Sequence, residues 1–455
     1  MPQCGGERFR LKVEVLCINT TKTKGYKTMK RKTIMGLLII VVIALVVILG
    51  GCVEKETQVS TPTPIPDSDG DGWNDEQEKN VGTDPSKKDT DDDGYWDPKD
   101  PNPLDPNIPL SKITPTPAPQ IQTPKTIYID DDFEDEPRND RWNTIHEGIM
   151  DAREGDIIIV YEGIYHETVD VDKSVILKGI DYPVIDACHN GDVLRITADN
   201  CKVSGFELIN SGDVWPNSGF SIYSNSNTIE DNIVFSNHCG ISLWGSSNNI
   251  LSENKVSNSG WEGIYLEHSS NNEITKNTIS NSKARGILIC DTSINNTISI
   301  NDISNNHRGI SIKESLNNKI VGNSIHNNED GIQISRSRDN TLSENDVRAN
   351  HDQGISLIES VDNKIIKNIV LDNYGTGISI CESSNTLVYY NNLVDNKDNG
   401  VDDTNSNFWD NGDEGNYWSD YRGNDMDGDE IGDTPYSIPG IGKATDNYPL
   451  MNPIV

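Results

Sequence analysis

The chain has 455 residues, with 72 acidic against 38 basic side chains and a net charge of −34. Such an acidic excess argues against nucleic acid as a partner and in favour of divalent cations.

Residues 1–28 read as upstream sequence ahead of a start at Met29; Cys4 and Cys17 stand there in no recognisable context. Residues 29–52 have the plan of an export signal: Met29-Lys30-Arg31-Lys32, an uncharged run from Ile34 to Leu49, then LGGC ending at Cys52. The site resembles a lipobox, which implies cleavage before Cys52 and lipid on its sulfur. An uncleaved N-terminal membrane helix is the alternative, although the run is short for a full span. Either arrangement places the protein on the cell membrane facing outward, extracellular or periplasmic. Nine basic and two acidic residues precede Cys52, so the remainder would hold 29 basic and 70 acidic residues, a charge of −41. Thr/Pro-rich segments at 53–66 and 111–125 predict extended, semi-rigid linkers.

Between the linkers, residues 67–110 carry two acidic loops. DSDGDGWNDEQE fits D-x-D-x-D-G-x5-E. Asp67, Asp69 and Asp71 would supply side-chain oxygens, Trp73 its carbonyl, Asp75 a direct or water-mediated oxygen and Glu78 a bidentate carboxylate, with Gly72 allowing the sharp turn. DTDDDGYWDPKD repeats the scheme with Asp89, Asp91, Asp93, Asp97 and Asp100 around Gly94. The joining stretch is too short for the paired helices of an EF-hand. The segment resembles thrombospondin type 3 repeats, which implies a compact calcium-filled stalk; calcium is the one cofactor expected.

Residues 126–200 predict a cap and first coils. Trp142, Ile145 and Ile149 have helical spacing, and short strands follow. From 201 to 403 the chain repeats. Gly219, Gly240, Gly263, Gly286, Gly309, Gly331, Gly354, Gly377 and Gly400 recur 21–23 residues apart, each followed by period-two aliphatics such as Ile287/Ile289. A fixed period near 22 with strand alternation predicts a solenoid of three short strands per coil, stable only when stacked. Three columns of Asn keep the same register: Asn249 to Asn385, Asn254 to Asn368, and Asn258, Asn281, Asn305, Asn327, Asn350, Asn373 and Asn396. Asn suits left-handed corners and hydrogen-bonded ladders.

This pattern resembles the archaeal and bacterial NosD-like family, and residues 126–200 resemble the entry cap of pectin-lyase-like proteins. The resemblance implies an all-β, right-handed parallel β-helix. Residues 404–455 resemble the tail that follows the coils in that family, with Tyr and Trp covering the open end. The tail contains a third acidic loop, Asp425, Asp427, Asp429 and Asp433, in which Glu430 replaces the turn glycine and Tyr436 the closing acid.

A catalytic site should show as carboxylates in adjacent coils. The position two after each Gly reads Ser221, Ser242, Tyr265, Leu288, Ser311, Gln333, Ser356, Ser379 and Asp402, nearly free of acid. The position five after contains Asp291 and Glu314, then Arg336, then Glu359 and Glu382. One coil step of about 4.8 Å brings each pair near the spacing of retaining glycosidases. The corner position and the intervening Arg336 also suit a solvated charge ladder, as does the alternation Glu262, Arg285, Arg308, Asp330. The family resemblance implies copper handling in nitrous oxide reductase assembly. Copper needs clustered His, Cys or Met, whereas His238 and His307 fall about 14 Å apart and Cys290 and Cys381 about 19 Å apart at the strand spacing. His238-Cys239 is the local pair, and Cys188 and Cys201 are open to pairing. Trp215, Tyr223, Trp244, Trp261 and Tyr265 gather at the early coils, either packing under a loop or offering sugar platforms through Trp244, Trp261 and Tyr265. The leading expectation is a surface-anchored, calcium-stabilised, non-enzymatic binder of glycan or another envelope component. A polysaccharide lyase or glycoside hydrolase and a copper-handling factor are the alternatives.

Overall fold

The computed structural model describes residues 66–100, 102–106 and 123–454. The expected export signal, Cys52 and most of both expected linkers lie outside the described residues. The chain divides into two compact units, residues 1–120 and 121–455. Among the described residues no helix is long and apolar enough to cross a membrane.

In the first unit one short helix, Asp75–Val81, starts at an Asn74 cap that accepts from the Glu76 and Gln77 amides, and ends on left-handed Gly82. The two acidic loops lie on either side of it in sequence.

The second unit is a right-handed parallel β-helix with three sheets of 13, 12 and 11 strands, in which each strand of the repeating coils pairs with the third strand before and after it. One coil comprises Thr297–Ser299 in the first sheet, Asp302–Ser304 in the second and Arg308–Lys313 in the third. Ile298, Ile303, Ile310 and Ile312 of that coil point inward and are fully buried. Burying each such side chain contributes about 1.5–3 kcal/mol, which a lone coil would forfeit. The repeating glycine stands at the start of the third-sheet strand, where Gly309 is the second residue of Arg308–Lys313. A Cβ on Gly331 would stand 2.3 Å from the Gly354 carbonyl oxygen, and one on Gly286 2.7 Å from that of Gly309. Close approach between coils, rather than an unusual φ, selects glycine there.

Asparagine holds the corners. The Asn301 backbone N–H and Nδ2 both donate to Oδ1 of Asn323 (3.0 and 2.9 Å), and Nδ2 also reaches the Ile274 carbonyl at 2.9 Å. Its own Oδ1 accepts the same pair of bonds from Asn277. This row runs from Asn232 to Asn416 and matches the second predicted column. The other two columns need correction. Asn258, Asn281, Asn305 and Asn327 are left-handed corner residues with φ of 54–57°. The buried row uses the next residue instead: Ser259, Ser282, Asn306 and Asn328, then Asn350 and Asn373, continuing to part-buried Asn396. In the remaining row left-handed Asn385 gives its predicted place to buried Thr386. Each corner therefore takes a left-handed residue followed by an inward polar one, and Asn satisfies either requirement.

All three rows end on carboxylates. Asn416 donates its N–H to Oδ2 of Asp446 at 2.7 Å, Asn399 donates to Asp420 at 2.8 Å, and Asn407 donates to Asp402 at 3.2 Å. Asp402 is itself a correction. Gly400 pairs with Ile378 and Val401 with Ser379, so Asp402 takes the inward place of Ile380 and accepts from Trp409 Nε1 at 3.0 Å. Trp409 and Trp418 close that end of the core. Burial pushes Asp446 up to about 6, against the lowering effect of hydrogen bonds from Trp418 and Asn416.

The opposite end carries the helix Ile145–Asp151, whose Thr144 cap accepts from Glu147 N. Ile145 and Ile149 are buried, whereas Trp142 precedes the cap in a two-residue strand, not in the helix. No cysteine among the described residues forms a disulfide: Cys188 is exposed and Cys201 buried, so the pairing left open by sequence is absent.

Replacing Asn345 by Ala would orphan the Asn323 amide and side chain and the Ile320 carbonyl, all now bonded to it. A loss of about 3 kcal/mol is expected. Asn327→Ala removes an exposed left-handed residue and should cost about 1 kcal/mol. Denaturant midpoints of the two full-length variants should fall in that order.

Candidate functional site

The outer face of the third sheet presents parallel columns of side chains. Its middle column is Ser221, Ser242, Tyr265, Leu288, Ser311, Gln333, Ser356 and Ser379, as register predicts. Small serines leave the later coils flat. At Tyr265 and Leu288 the face rises, and the segment 211–217, an insertion between two coils, brings Trp215 over it. Trp215 meets Tyr265 edge-on at 4.9 Å and Trp244 at 5.3 Å. Trp244 is stacked on Tyr223 at 6.3 Å and packs beside Tyr265, Leu288 and Cys290. The resulting cleft of about 530 Å³ has Trp215, Val214 and Tyr265 among its walls, with Trp261, Glu262 and Arg285 also facing it.

Of the three predicted sugar platforms, Trp261 and Tyr265 therefore border the cleft, and Trp244 stands behind as a support. Trp261 is 48% exposed and stacks parallel to His238, 6.5 Å away. Tyr265 is buried and its hydroxyl donates to Glu267 Oε2. The Cys290 thiol donates to the Tyr265 hydroxyl at 3.5 Å, and burial pushes that thiol up to about 12.

Glu262, expected as one rung of a solvated charge ladder, is instead part of the interior. Its carboxylate is fully buried and accepts from Arg285 N and from Arg285 Nη1, both at 2.7 Å. Burial raises its pKa, with Arg285 acting in the opposite sense. The Arg285 side chain is 26% exposed and its Nε, also buried, has no protein partner. The cleft thus combines aromatic walls with a guanidinium fixed by Glu262 and partly exposed.

The predicted carboxylate pairs stand elsewhere. Asp291, Glu314, Arg336, Glu359 and Glu382 all occupy left-handed corners with φ of 46–51°. Arg336 binds Glu314 at 2.6 Å and reaches Glu359 at 3.9 Å, tying the two pairs together with all three side chains 41–50% exposed. Exposed pairs of this kind contribute little. Asp291 alone of this column borders the cleft.

The acidic loops form a second candidate site, in the first unit. Asp67, Asp69 and Asp71 each bring an oxygen to within 4.8 Å of the others, and Asp89, Asp91 and Asp93 do the same. Asp97, assigned by sequence to the second loop, instead joins buried Asp71 and Glu78 while accepting from Thr90 N and Oγ1 at 2.8 and 2.7 Å. Asp75, expected as a ligand, is engaged by the N–H and hydroxyl of Ser68, both at 2.8 Å. The Trp73 N–H donates to Asp71 at 2.8 Å. Both Glu78 oxygens, and one each of Asp69, Asp71, Asp91 and Asp100, are buried without a hydrogen-bond partner. Burial raises Glu78 to about 7, helped by Asp69, Asp71, Asp75 and Asp97. Buried unpartnered carboxylates are costly; an oxygen-seeking cation is what these groups fit.

The third loop repeats the local hydrogen bonds. Asp425 accepts from Gly428 N, Asp433 from Met426 N and Asp429 from Ile431 N, as Asp67, Asp75 and Asp71 accept from Gly70, Ser68 and Trp73. Asp427 has its pKa raised chiefly by Asp429. Glu430 adopts φ +69° in the turn, and Tyr436 is engaged by Asp420 and by stacking on Trp418 at 4.1 Å. No oxygen of this loop is a buried orphan among the described residues, which separates it from the other two.

Residues 149–329 and 290–423 match the family described as periplasmic copper-binding protein (NosD), more than half of the chain. The chain belongs to the NosD family. Residues 67–88 match the bacterial TSP3 repeat. No curated protein matches this NosD chain in sequence. Among solved structures it is similar to the complex of XylC with xylose (13% identity, TM-score 0.49, covering 60% of this chain and 76% of that one). It is similar too to the A-module of the Azotobacter vinelandii mannuronan C-5 epimerase AlgE6 (15%, 0.45, 60% and 88%). A third is the periplasmic alginate epimerase AlgG (20%, 0.38, 54% and 63%). At these identities the likeness is one of fold. The local His–Cys pair of this NosD chain is split: Cys239 is fully buried, its thiol pushed up to about 12 by burial, while His238 lies against Trp261.

Arg285→Ala should destabilise the protein by about 3–5 kcal/mol by leaving Glu262 buried and uncompensated. Adding Glu262→Gln to that variant should recover most of the loss. Equilibrium denaturation of the single and double variants reads the coupling.

Proposed function

We propose that this protein is an outward-facing, non-enzymatic binding protein of the cell envelope, periplasmic or at the cell surface. It holds a carbohydrate chain in the third-sheet cleft. The observation that carries this reading is the convergence of Trp215, Trp261 and Tyr265 with Arg285 on one opening. Apolar faces of sugar rings pack on aromatic rings, while a few fixed polar groups set orientation. The partly exposed Arg285 guanidinium, with Lys313 also on the cleft wall, suits a sugar bearing a carboxylate. Hydrolysis by the common route needs two carboxylates facing the bond. Here Glu262 is held by Arg285 and Glu267 accepts from Tyr265, which favours binding over cutting. The copper in the family's description would need gathered nitrogen and sulfur donors. At this cleft Cys290 is kept as a thiol and His238 is engaged with Trp261, which does not favour copper there.

Binding to immobilised neutral and uronate-rich polysaccharides should be detectable, stronger for the latter. Trp261→Ala should weaken it at least tenfold, with no new reducing ends or unsaturated products from the wild type. Turnover that disappears in Glu262→Gln or Asp291→Asn would overturn the non-enzymatic reading.

Calcium belongs to the same proposal. Asp67, Asp69, Asp71, Glu78 and Asp97 would hold one ion and Asp89, Asp91, Asp93 and Asp100 another, neutralising charge in a segment with almost no apolar core. The pH dependence follows from Glu78, raised from 4.5 to about 7. A carboxyl raised in the folded state favours folding below its unfolded pKa, and that contribution is lost as pH climbs through about 7. The calcium-free loops should therefore lose protection from proteolysis between pH 4.5 and 8, and calcium should restore it. Calorimetry on the full-length protein should show tighter binding at pH 8 than at pH 5.5, with proton release at the lower pH. No calcium-linked heat at millimolar concentration would refute the assignment.

A further inference from the structure

The second sheet carries a cluster that neither the cleft nor the acidic loops use. Its strand Ile164–Tyr165 pairs with Val184–Asp186, Tyr165 opposite Ile185, so His166 follows on directly beside Asp186 one coil later. The chain then turns through two successive left-handed residues, Cys188 (φ 52°) and His189 (φ 59°). This turn swings the Cys188 sulfur back towards the same imidazole. His166 Nδ1 lies 3.5 Å from Cys188 Sγ and 3.5 Å from Asp186 Oδ2, and the three donor atoms all lie within 4.8 Å of one another.

We propose that His166, Asp186 and Cys188 form a binding site for a thiophilic transition-metal ion of the class of Cu⁺ and Zn²⁺. Bond lengths of about 2.0–2.3 Å to N, O and S around a tetrahedral ion place neighbouring donors roughly 3.3–3.6 Å apart, the separation seen from His166 Nδ1 to both the thiol and the carboxylate. A mixed nitrogen, sulfur and carboxylate set selects such ions over Ca²⁺ and Mg²⁺. The carboxylate is oriented from behind, as metal-binding carboxylates usually are. Its other oxygen, Oδ1, accepts from Cys188 N at 2.9 Å and from Asn210 Nδ2, on the following coil, at 3.0 Å. Asp186 is only 15% exposed, whereas the imidazole and thiol face solvent, which leaves the fourth position open to water or to a donor from a partner. Cys201, the nearest cysteine in sequence, points its sulfur at the Lys173 and Ala198 carbonyls, so Cys188 has no disulfide to form with it. His189 turns away, with its Nδ1 3.3 Å from Asp213.

The test uses full-length, reduced protein with excess Ca²⁺ to occupy the acidic loops. Co²⁺ serves as a spectroscopic probe for the zinc-type site, and Cu⁺ is delivered in competition with a chromophoric chelator. One equivalent should bind, with a thiolate-to-Co²⁺ charge-transfer band. Cys188→Ser should abolish the band, and His166→Gln or Asp186→Asn should each weaken binding at least tenfold. Asn210→Ala, a positioning change, should weaken it less while keeping the band. Cys188 is exposed, so its variant should fold, and a circular dichroism spectrum matching wild type confirms this. Absence of the band in the wild type, or metal binding unchanged in all three ligand variants, would overturn the assignment.

Discussion

Stacking without slippage is the constraint on which everything in the second unit depends. Each coil hands its backbone hydrogen bonds to the next, so each corner must turn in the same way at the same height. The buried asparagines enforce this. An amide side chain can accept from one neighbour and donate to the other, and it does so here with its own backbone N–H donating alongside. Nearly every buried polar group at the corner is thereby satisfied, which is what permits corners so near the core. The aliphatic interior supplies the bulk of the favourable free energy; the asparagine rows decide that it is buried in one register only.

Such a scaffold leaves its outer faces free to vary. Inward positions of the coils are nearly fixed as Ile, Leu or Val, while the outward columns of the third sheet change from serine to tyrosine to leucine without disturbing the coil. The cleft is built from that freedom and one insertion. Segment 211–217 interrupts the period and places Trp215 over the sheet, and the buried Glu262 fixes Arg285 beneath it. A rigid floor and a preset guanidinium lower the ordering cost of binding a flexible chain. The acidic loops follow the opposite logic. They have little apolar core, and their buried carboxylates repel one another until something neutralises them.

The repeat made the fold legible. Glycine spacing and period-two aliphatics are direct imprints of coil stacking, and the tandem D-x-D-x-D-G loops are imprints of oxygen donors closing on one point. What failed to show were relations between residues at variable sequence distance. Asn327 and Asn328 look interchangeable, yet one turns the chain and the other bonds the next coil. Asp402 seemed to extend an outward column because a single-residue slip in the last coil is invisible in a glycine count. Glu262 looked like an exposed rung because sequence does not record that its carboxylate is buried against Arg285. Asp97 crosses from one loop to the other through a fold that spacing does not encode. His166 and Asp186 are 20 residues apart, in early coils too irregular for a period to align them.

The asparagine rows also have a direction. Along most of each row the amide oxygen accepts from the coil before and the amide nitrogen donates to the coil after, and each row arrives at the C-terminal end with a donor in hand. There the chain changes chemistry: Asp446, Asp420 and Asp402 offer oxygens that receive and have nothing to pass on. A carboxylate in that place acts as a stop signal. Another coil laid on this end would meet an acceptor facing an acceptor. The end of the coil stack is therefore written into its polarity, and the same repeat that could in principle stack end to end meets carboxylates there that do not pass the ladder on.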